Sequence, residues 1–305
     1  MLRKGAIRNA WLAWKAVKAN RWRQKSFSAY LLAFMFLPMP ITSSLTLRPI
    51  TQDEFAALDY QVMRHAFASQ NELGRLCDEV IYQNDLAARL EAARLGAVRK
   101  EVPVQVTHAD FSKTYLLDLV VRDAAIYELK TALCLAPEHD AQLLNYLLLH
   151  GAHHGKLVNS RPPQVESKFL NTGLTPERRH RLECNTQRWR EDEPTSKALL
   201  EIMVALLEDW GGFLELPLYT DALVHFLGGA EKVLQKVPLS RNGIRLGDQR
   251  VHLTAAETAF RLTALTDAVE PYERQLRALL QHSPLRAIQW INLAHHRTDF
   301  VTLLK

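Results

Sequence analysis

The stretch LLDLVVRDAAIYELK, residues 116–130, carries two apolar runs on either side of the turn residues Arg122 and Asp123. Short runs rich in β-branched and aromatic residues, separated by a polar turn, predict a β-hairpin. If Asp123 is the centre of the turn, Asp118 lies directly opposite Glu128. Opposed residues on one face of an antiparallel pair have Cβ atoms about 4.5–5.5 Å apart. The hairpin therefore predicts two adjacent carboxylates.

Lys130 is predicted to share a face with Glu128, because side chains alternate across a strand. Two adjacent carboxylates can share a hard cation such as Mg²⁺, which binds oxygen ligands and keeps several waters. A neighbouring ammonium can orient a water molecule and stabilise the charge that develops on a phosphoryl group under attack. The competing interpretation is a surface hairpin with an ordinary ion pair, and the bare pattern by itself favours that interpretation.

The segments around the hairpin alternate between helical and strand periodicity. Helices are predicted at 53–73 and 77–96, strands at 98–108, 113–121 and 124–133, a helix at 137–151 and a strand at 156–160. Pro137 and Gly151 mark the start and end of the third helix. The order of helices and strands predicts an α/β unit built on a mixed sheet.

Four further residues accompany the acids and the lysine. Gln142 and Tyr146 lie at i and i+4 on the third helix, and Glu79 and Tyr82 lie at i and i+3 on the second. With these residues the sequence resembles the GxxExxY family of the PD-(D/E)XK nuclease superfamily over residues 52–160. The matching positions are Gly74, Glu79, Tyr82, Asp118, Glu128, Lys130, Gln142 and Asn159. Gln142 to Tyr146 is also similar to the QxxxY motif of the RecB-like branch.

The resemblance implies a restriction-endonuclease-like core, a mixed sheet flanked by helices, that hydrolyses the phosphodiester bonds of DNA or RNA. It implies that Asp118 and Glu128 bind Mg²⁺ or Mn²⁺ and that Glu79 adds a ligand or a base. Lys130 would support the attacking water, and Gln142 would contact the substrate or the lysine, with Tyr146 beside it as a substrate-binding residue. One position departs from the family: Leu76 stands where the motif has a glycine.

Comparison of the chain with itself at an offset of 133 residues predicts a second copy of the unit. The alternative is chance similarity between two apolar helix–strand units. Five residues of the first copy fall on identical residues, namely Leu129, Gln142, Leu143, Leu147 and Asn159 on Leu262, Gln275, Leu276, Leu280 and Asn292. With small insertions, LGRLCDEVIY (residues 73–82) also aligns with WGGFLELPLY (residues 210–219). At the candidate site, however, the second copy has Val251, Arg261 and Thr263, and an arginine in place of a carboxylate does not bind Mg²⁺. The second copy is therefore predicted to be degenerate, with Arg261 as a phosphate contact.

Charge divides the chain unevenly. Residues 1–48 hold nine basic residues and no acid, which leaves 29 basic against 33 acidic residues, a net charge of −4, in residues 49–305. The folded part is therefore not a generally basic nucleic-acid binder. The apolar run 29–41 contains Pro38 and Pro40 and falls short of the roughly 20 residues that a membrane span requires. Three widely spaced cysteines match neither a disulfide framework nor a zinc site and are typical of a cytoplasmic protein.

These observations predict four segments: an N-terminal extension outside the fold (1–48), a nuclease-like domain (49–165), a linker (166–194) and a degenerate α/β copy (195–305). The two copies are expected to form an intramolecular pseudo-dimer. The preferred function is metal-dependent cleavage of nucleic acid, with no stable membrane span. The alternatives are a non-catalytic nucleic-acid or protein interaction module that keeps the fold, and, less favoured, a protein attached to a membrane through residues 1–48.

Overall fold

The computed structural model describes residues 40–191 and 194–305. Its first part contains three helices around a six-stranded sheet of order β1-β2-β3-β4-β5-β6, in which only β4 and β5 run parallel. The elements are β1 (Ile41–Ser43), α1 (Gln52–Leu73), α2 (Glu79–Ala92), β2 (Val98–His108), β3 (Phe111–Val121), β4 (Ala125–Lys130), α3 (Pro137–His150), β5 (His154–Asn159) and β6 (Glu166–Asn171). The predicted order of helices and strands is confirmed.

The second part builds another six-stranded sheet, of order β7-β12-β11-β10-β9-β8. Its elements are α4 (Pro176–Arg179), β7 (Glu183–Arg188), α5 (Pro194–Trp210), α6 (Leu216–Phe226), α7 (Ala230–Val233), β8 (Leu234–Arg241), β9 (Ile244–Ala255), β10 (Thr258–Thr263), α8 (Val269–His282), β11 (Ala287–Ala294) and β12 (Arg297–Leu304). The predicted fold class, an α/β core followed by a second α/β copy, is confirmed.

The register of the two sheets supports the duplication. In the first sheet β4 and β5 pair in parallel with Lys130 beside Asn159, and in the second sheet β10 and β11 pair in parallel with Thr263 beside Asn292. Each asparagine then bridges the backbone beyond the preceding strand: Asn159 bonds the N–H and the C=O of Ala132, and Asn292 bonds those of Leu265. The same side chain therefore makes the same two bonds at the predicted offset.

The helices and the two sheets form five layers, which three apolar clusters hold together. One cluster buries α1 and α2 against the outer face of the first sheet, with Phe55 and Tyr82 beside Tyr127. A second cluster buries α8 against the outer face of the other sheet, with Leu276 and Leu280 beside Trp290 and others. The largest cluster lies between the sheets and contains residues of α3, α5 and α6. The two copies therefore share one layer of helices, and these helices cover the inner face of each sheet.

Two segments differ from the prediction. The segment predicted as a linker, 166–194, contains β6 and β7, each of which is the edge strand of one sheet. The polar sequences ESKFLN and ECNTQR can form these strands because their backbone N–H and C=O groups pair with one neighbouring strand. Within the predicted N-terminal extension, β1 pairs with β2, and the side chains of Leu45 and Leu47 pack on the shared core. Residues 41–47 therefore belong to the fold, whereas residues 1–39 of that extension lie outside the described residues. None of the helices in the described part of the chain has the length and hydropathy of a membrane span.

A pair of N-terminal truncations tests the role of β1. A variant that begins at residue 35 keeps every contact of Ile41, Leu45 and Leu47, so we expect its unfolding temperature to match that of the full chain. A variant that begins at residue 49 loses these partly buried side chains, at about 2–3 kcal/mol of unfolding free energy, and uncovers the edge of β2, which favours aggregation. Equal thermal stability of the two variants would contradict the assignment of β1 to the fold.

Candidate active site

The β3–β4 hairpin has the predicted register. Leu119, Val120 and Val121 pair with Tyr127, Ile126 and Ala125, and the turn at Arg122 and Asp123 adopts positive φ angles of 56° and 48°. Continuation of this register brings Asp118 opposite Glu128. The Asp118 side chain reaches across to the next strand, where its Oδ2 accepts a hydrogen bond of 2.8 Å from the Leu129 N–H.

Glu128 is the central residue of the group. Its side chain is only 1% exposed, and its Oε1 accepts a hydrogen bond of 2.7 Å from Lys130 Nζ. Its Oε2 is also buried and accepts no hydrogen bond from an N–H or hydroxyl group of the described residues; its polar neighbour is the Asp118 carboxyl group. A buried carboxylate oxygen without a partner is destabilising, and such groups are rare in folded proteins. The group therefore has one oxygen that is available for a ligand.

Electrostatic interactions in the group follow from burial and from like charge. Burial and, to a smaller extent, the neighbouring Asp118 carboxylate together raise the pKa of Glu128 to about 8, against the opposing effect of Lys130. Burial also raises the pKa of Asp118, although the Leu129 N–H lowers it. For Lys130, burial lowers the pKa, but the Glu128 and Glu79 charges outweigh this effect and the net shift is upward. Two acids and one cation therefore share a poorly hydrated space.

Glu79 approaches the group from the N-terminus of α2. Its Oε1 lies 3.9 Å from Lys130 Nζ, and its side chain is partly exposed. The preceding loop is held by Tyr82, whose hydroxyl donates a 2.6 Å hydrogen bond to the carbonyl of Gly74, a residue with φ of +75°. A second set of contacts, which the sequence did not predict, comes from Arg161. Its guanidinium donates hydrogen bonds to the carbonyls of Arg75, Cys77 and Thr131, which joins this loop to the end of β4.

Gln142 and Tyr146 lie on α3 and bond each other, with Gln142 Nε2 donating to Tyr146 Oη at 3.0 Å. Burial raises the pKa of the Tyr146 hydroxyl, and the charge of Glu128 raises it further. The structure therefore places the tyrosine hydroxyl within the field of the acids, whereas it records no direct bond from Gln142 to Lys130 among the described contacts.

The second copy reaches this region through Glu215, a residue that sequence reasoning did not single out as functional. Tyr115 packs edge-to-face on Tyr146 with ring centroids 6.0 Å apart, and its hydroxyl donates a 2.6 Å hydrogen bond to Glu215 Oε1. The Glu215 N–H donates to Asn145 Oδ1 on α3. The available signal was the repeat itself, because Glu215 corresponds to Asp78, and both residues are the N-cap of the helix that follows.

Arg261 is not brought together with the other site residues. Its neighbours Phe260 and Leu262 belong to the shared middle cluster, so the arginine lies on the opposite face of the second sheet. There its Nε donates to the hydroxyl of Tyr272 on α8. The position equivalent to Lys130 is occupied by Thr263, whose hydroxyl is engaged by Trp290 and Asn292. A buried indole therefore fills the corresponding space in the second copy.

The donor set limits which metal could bind. Across residues 40–191 and 194–305, no three His, Cys, Asp or Glu side chains converge as a ready metal cage. Asp118 and Glu128 nevertheless offer adjacent oxygens, and the unpartnered Oε2 of Glu128 lacks the contact that a cation would supply. A hard cation that keeps several waters suits two carboxylates, whereas a site closed by four protein ligands does not. These residues therefore fit Mg²⁺ or Mn²⁺.

A family model and a solved structure each match part of the chain. Residues 56–169 match the family model of the PD-(D/E)XK nuclease superfamily, a range that contains both acids and Lys130. The crystal structure of SSO0001 is similar with 20% sequence identity and a TM-score of 0.24, over 36% of this chain and 62% of that chain. The chain thus spans less than two thirds of that protein. No curated protein matches the chain at a significant level.

The raised pKa of Glu128 predicts a specific pH dependence of stability. The unfolded glutamate titrates near 4.5 and the folded one near 8, so the folded state holds the proton more tightly between these values. The contribution of this group to the unfolding free energy is therefore complete below about pH 4.5 and is lost as the pH rises toward 8. In metal-free buffer we expect Glu128→Gln to flatten the decline in unfolding temperature over that range. A decline of unchanged slope in the variant would show that Glu128 ionises normally.

Proposed function

We propose that residues 49–165 form a metal-dependent nuclease that hydrolyses phosphodiester bonds of DNA or RNA. The single observation that carries the proposal is the buried, unpartnered Oε2 of Glu128, held beside Asp118 and Lys130. An ion pair of Glu128 and Lys130 that served only stability would not require Asp118, a second acid whose charge raises the pKa of Glu128. Strongly perturbed acids with a specific charged partner are typical of functional sites.

Asp118 and Glu128 would hold the cation, and a divalent ion there would supply a Lewis acid and a water of lowered pKa. Lys130 Nζ is bonded to Glu128 Oε1, which leaves Oε2 as the oxygen that would hold the cation, so one carboxylate would serve both partners. The lysine ammonium then orients the attacking water and stabilises the developing negative charge on the phosphoryl oxygens. Glu79, 3.9 Å from the same ammonium, holds it in place and stands ready as a further ligand or base.

Gln142 and Tyr146 complete the proposed site from α3. Because Gln142 donates one N–H to Tyr146 Oη, its amide is held in one orientation and its second N–H and its carbonyl remain for a phosphate or for Lys130. The tyrosine hydroxyl keeps its proton because of its raised pKa. It therefore acts as a hydrogen-bond donor to substrate and not as a base.

The GxxExxY assignment is a finer part of the proposal, and the local geometry supports it. Gly74 ends α1 with a positive φ, Tyr82 bonds its carbonyl, and Glu79 lies between them at the start of α2. In this arrangement the glycine and the tyrosine set the angle between the two helices, and only the glutamate faces Lys130. The exposed Leu76 takes the place of the motif glycine without contact with the acids.

A cleavage assay on mixed DNA and RNA, with Mg²⁺ or Mn²⁺, tests the activity. We expect the full chain to degrade at least one substrate and Glu128→Ala to lose this activity. Glu257→Gln, which removes a half-exposed carboxylate of the second copy, is the matched control and should cleave as the wild type does. If wild type and Glu128→Ala are equally inactive on every substrate although both are folded, the protein is a non-catalytic interaction module, the alternative function.

Metal binding is tested separately from turnover. We expect Mn²⁺ to raise the unfolding temperature of the wild type, since the ion relieves the repulsion between two buried acids. The shift should disappear in Asp118→Asn and in Glu128→Gln. Lys130→Ala should keep the shift and lose cleavage, because the ammonium acts on water and phosphate and does not bind the ion. A variant Lys130→Ala with full activity would remove the lysine from the mechanism.

A further inference from the structure

The second copy carries a long two-stranded ribbon formed by β8 and β9. Arg241 pairs with Ile244 across the two-residue turn Asn242-Gly243, whose φ angles of 52° and 76° are those of a type I′ hairpin turn. All residues from Ser240 to Arg250 are exposed. The ribbon is therefore a defined structure that extends past the helices covering the rest of the sheet.

The ribbon is cationic although residues 49–305 as a whole are acidic. It contains Lys236, Arg241, Arg245 and Arg250 against one acid, Asp248. Arg245 donates to Asp248 at 2.7 Å. The other three cations have no ion-pair partner in the part of the chain that the structure describes. Unlike the paired arginines of β12 and α8, they are left to solvent or to a ligand.

Two of these unpaired cations face each other. Lys236 lies directly opposite Arg250 in the antiparallel register, so the two side chains extend from the same face of the ribbon. Like charges in directly opposed positions destabilise an antiparallel pair. The arrangement contributes nothing to the stability of the hairpin, and an anion bound between the two side chains would remove the repulsion.

The cationic face is turned toward the first copy. Arg250 shares its face of β9 with His252, two residues along the strand, and the His252 ring lies 5.1 Å from that of Phe260 in the middle cluster. This is the face that packs on α5 and α6, the helices between the two sheets. Arg261, by contrast, lies on the outer face. An extended polyanion on the ribbon would thus lie on the side of the second sheet that looks toward the nuclease-like part.

We propose that the β8–β9 ribbon is a nucleic-acid-binding element that contacts the phosphate backbone through Lys236 and Arg250 on this face and through Arg241 beside the turn at its tip. The proposal rests on the proposed nuclease function, whose substrate it would help to hold. A two-stranded ribbon fits the groove of a duplex, and closely spaced lysine and arginine side chains bind phosphates by displacing counterions. The exposed Ile244 and Leu246 at the tip provide apolar contacts for sugars and bases.

The test measures binding without cleavage. The full chain in EDTA is titrated with duplex DNA, single-stranded DNA and RNA at several salt concentrations. We expect Arg250→Gln to weaken binding and to reduce the slope of log K against log salt by about 0.9 on duplex DNA, the contribution of one phosphate contact. The triple variant Lys236→Gln, Arg241→Gln, Arg250→Gln should reduce it by about 2–3. Arg274→Gln, which removes an exposed arginine from α8, is the matched control and should leave the slope unchanged.

Three outcomes overturn the ribbon proposal. If the triple variant binds all three nucleic acids as the wild type does while its unfolding temperature is unchanged, the ribbon is not a contact surface. If Arg261→Ala weakens binding and the ribbon variants do not, binding lies on the outer face. If anionic phospholipid vesicles and no nucleic acid bind through the ribbon, the partner is a membrane. Loss of cleavage in all forms, with binding that still depends on the ribbon, would refute the nuclease and leave the ribbon proposal standing.

Discussion

The first sheet is organised around a carboxylate that is almost completely removed from water. Burying a charge without a partner is strongly unfavourable, and the single bond from Lys130 compensates for only one oxygen of Glu128. Burial, together with the charge of Asp118, therefore raises the pKa of Glu128 to about 8. The surrounding elements position the groups around Glu128. The hairpin register places Asp118 beside it, and the Gly74–Tyr82 hydrogen bond sets the direction of α2. Arg161 connects the loop before α2 to the end of β4. A fold that needed only stability would place an apolar residue there.

The second copy separates the residues that build the fold from those that build the site. Gly211 and Tyr219 repeat the 2.6 Å contact of Gly74 and Tyr82, and Asn292 repeats the bridge of Asn159. These residues are retained because the angle between the helices and the end of the central strand depend on them. The polar positions equivalent to Glu79, Asp118, Glu128 and Lys130 are now Leu216, Val251, Arg261 and Thr263. Within one chain the copy thus shows that this architecture is stable without the acids, so their presence in the first copy calls for a function.

Much of the first copy follows from local rules that act along the chain. The hairpin register was predictable because side-chain alternation and a short turn leave few choices, and a slip by one residue would expose an entire apolar face. The helices were predictable from the helical spacing of apolar residues and from capping residues at their ends. At the start of α1, for example, the side chains of Thr51 and Glu54 each accept a hydrogen bond from the backbone N–H of the other residue. The edge strands β6 and β7 were not, since edge strands require only backbone pairing and tolerate polar side chains on both faces. The shared helical layer and the role of Glu215 depend on how two copies meet, and no pattern within either copy specifies that.

The shared layer gives the degenerate copy a structural part in the site. The inner face of the first sheet carries the candidate site at one end, and further along α6 covers β3. Glu215 at the start of α6 accepts a hydrogen bond from the Tyr115 hydroxyl, and the Tyr115 ring packs on Tyr146. The Tyr146 hydroxyl in turn accepts a hydrogen bond from Gln142. Two hydrogen bonds and one aromatic contact thus connect a residue of the second copy to the helix that flanks the acids. Because these groups are largely buried, their positions are coupled through packing, and the second copy thus contributes contacts to the surroundings of a site that it does not itself contain.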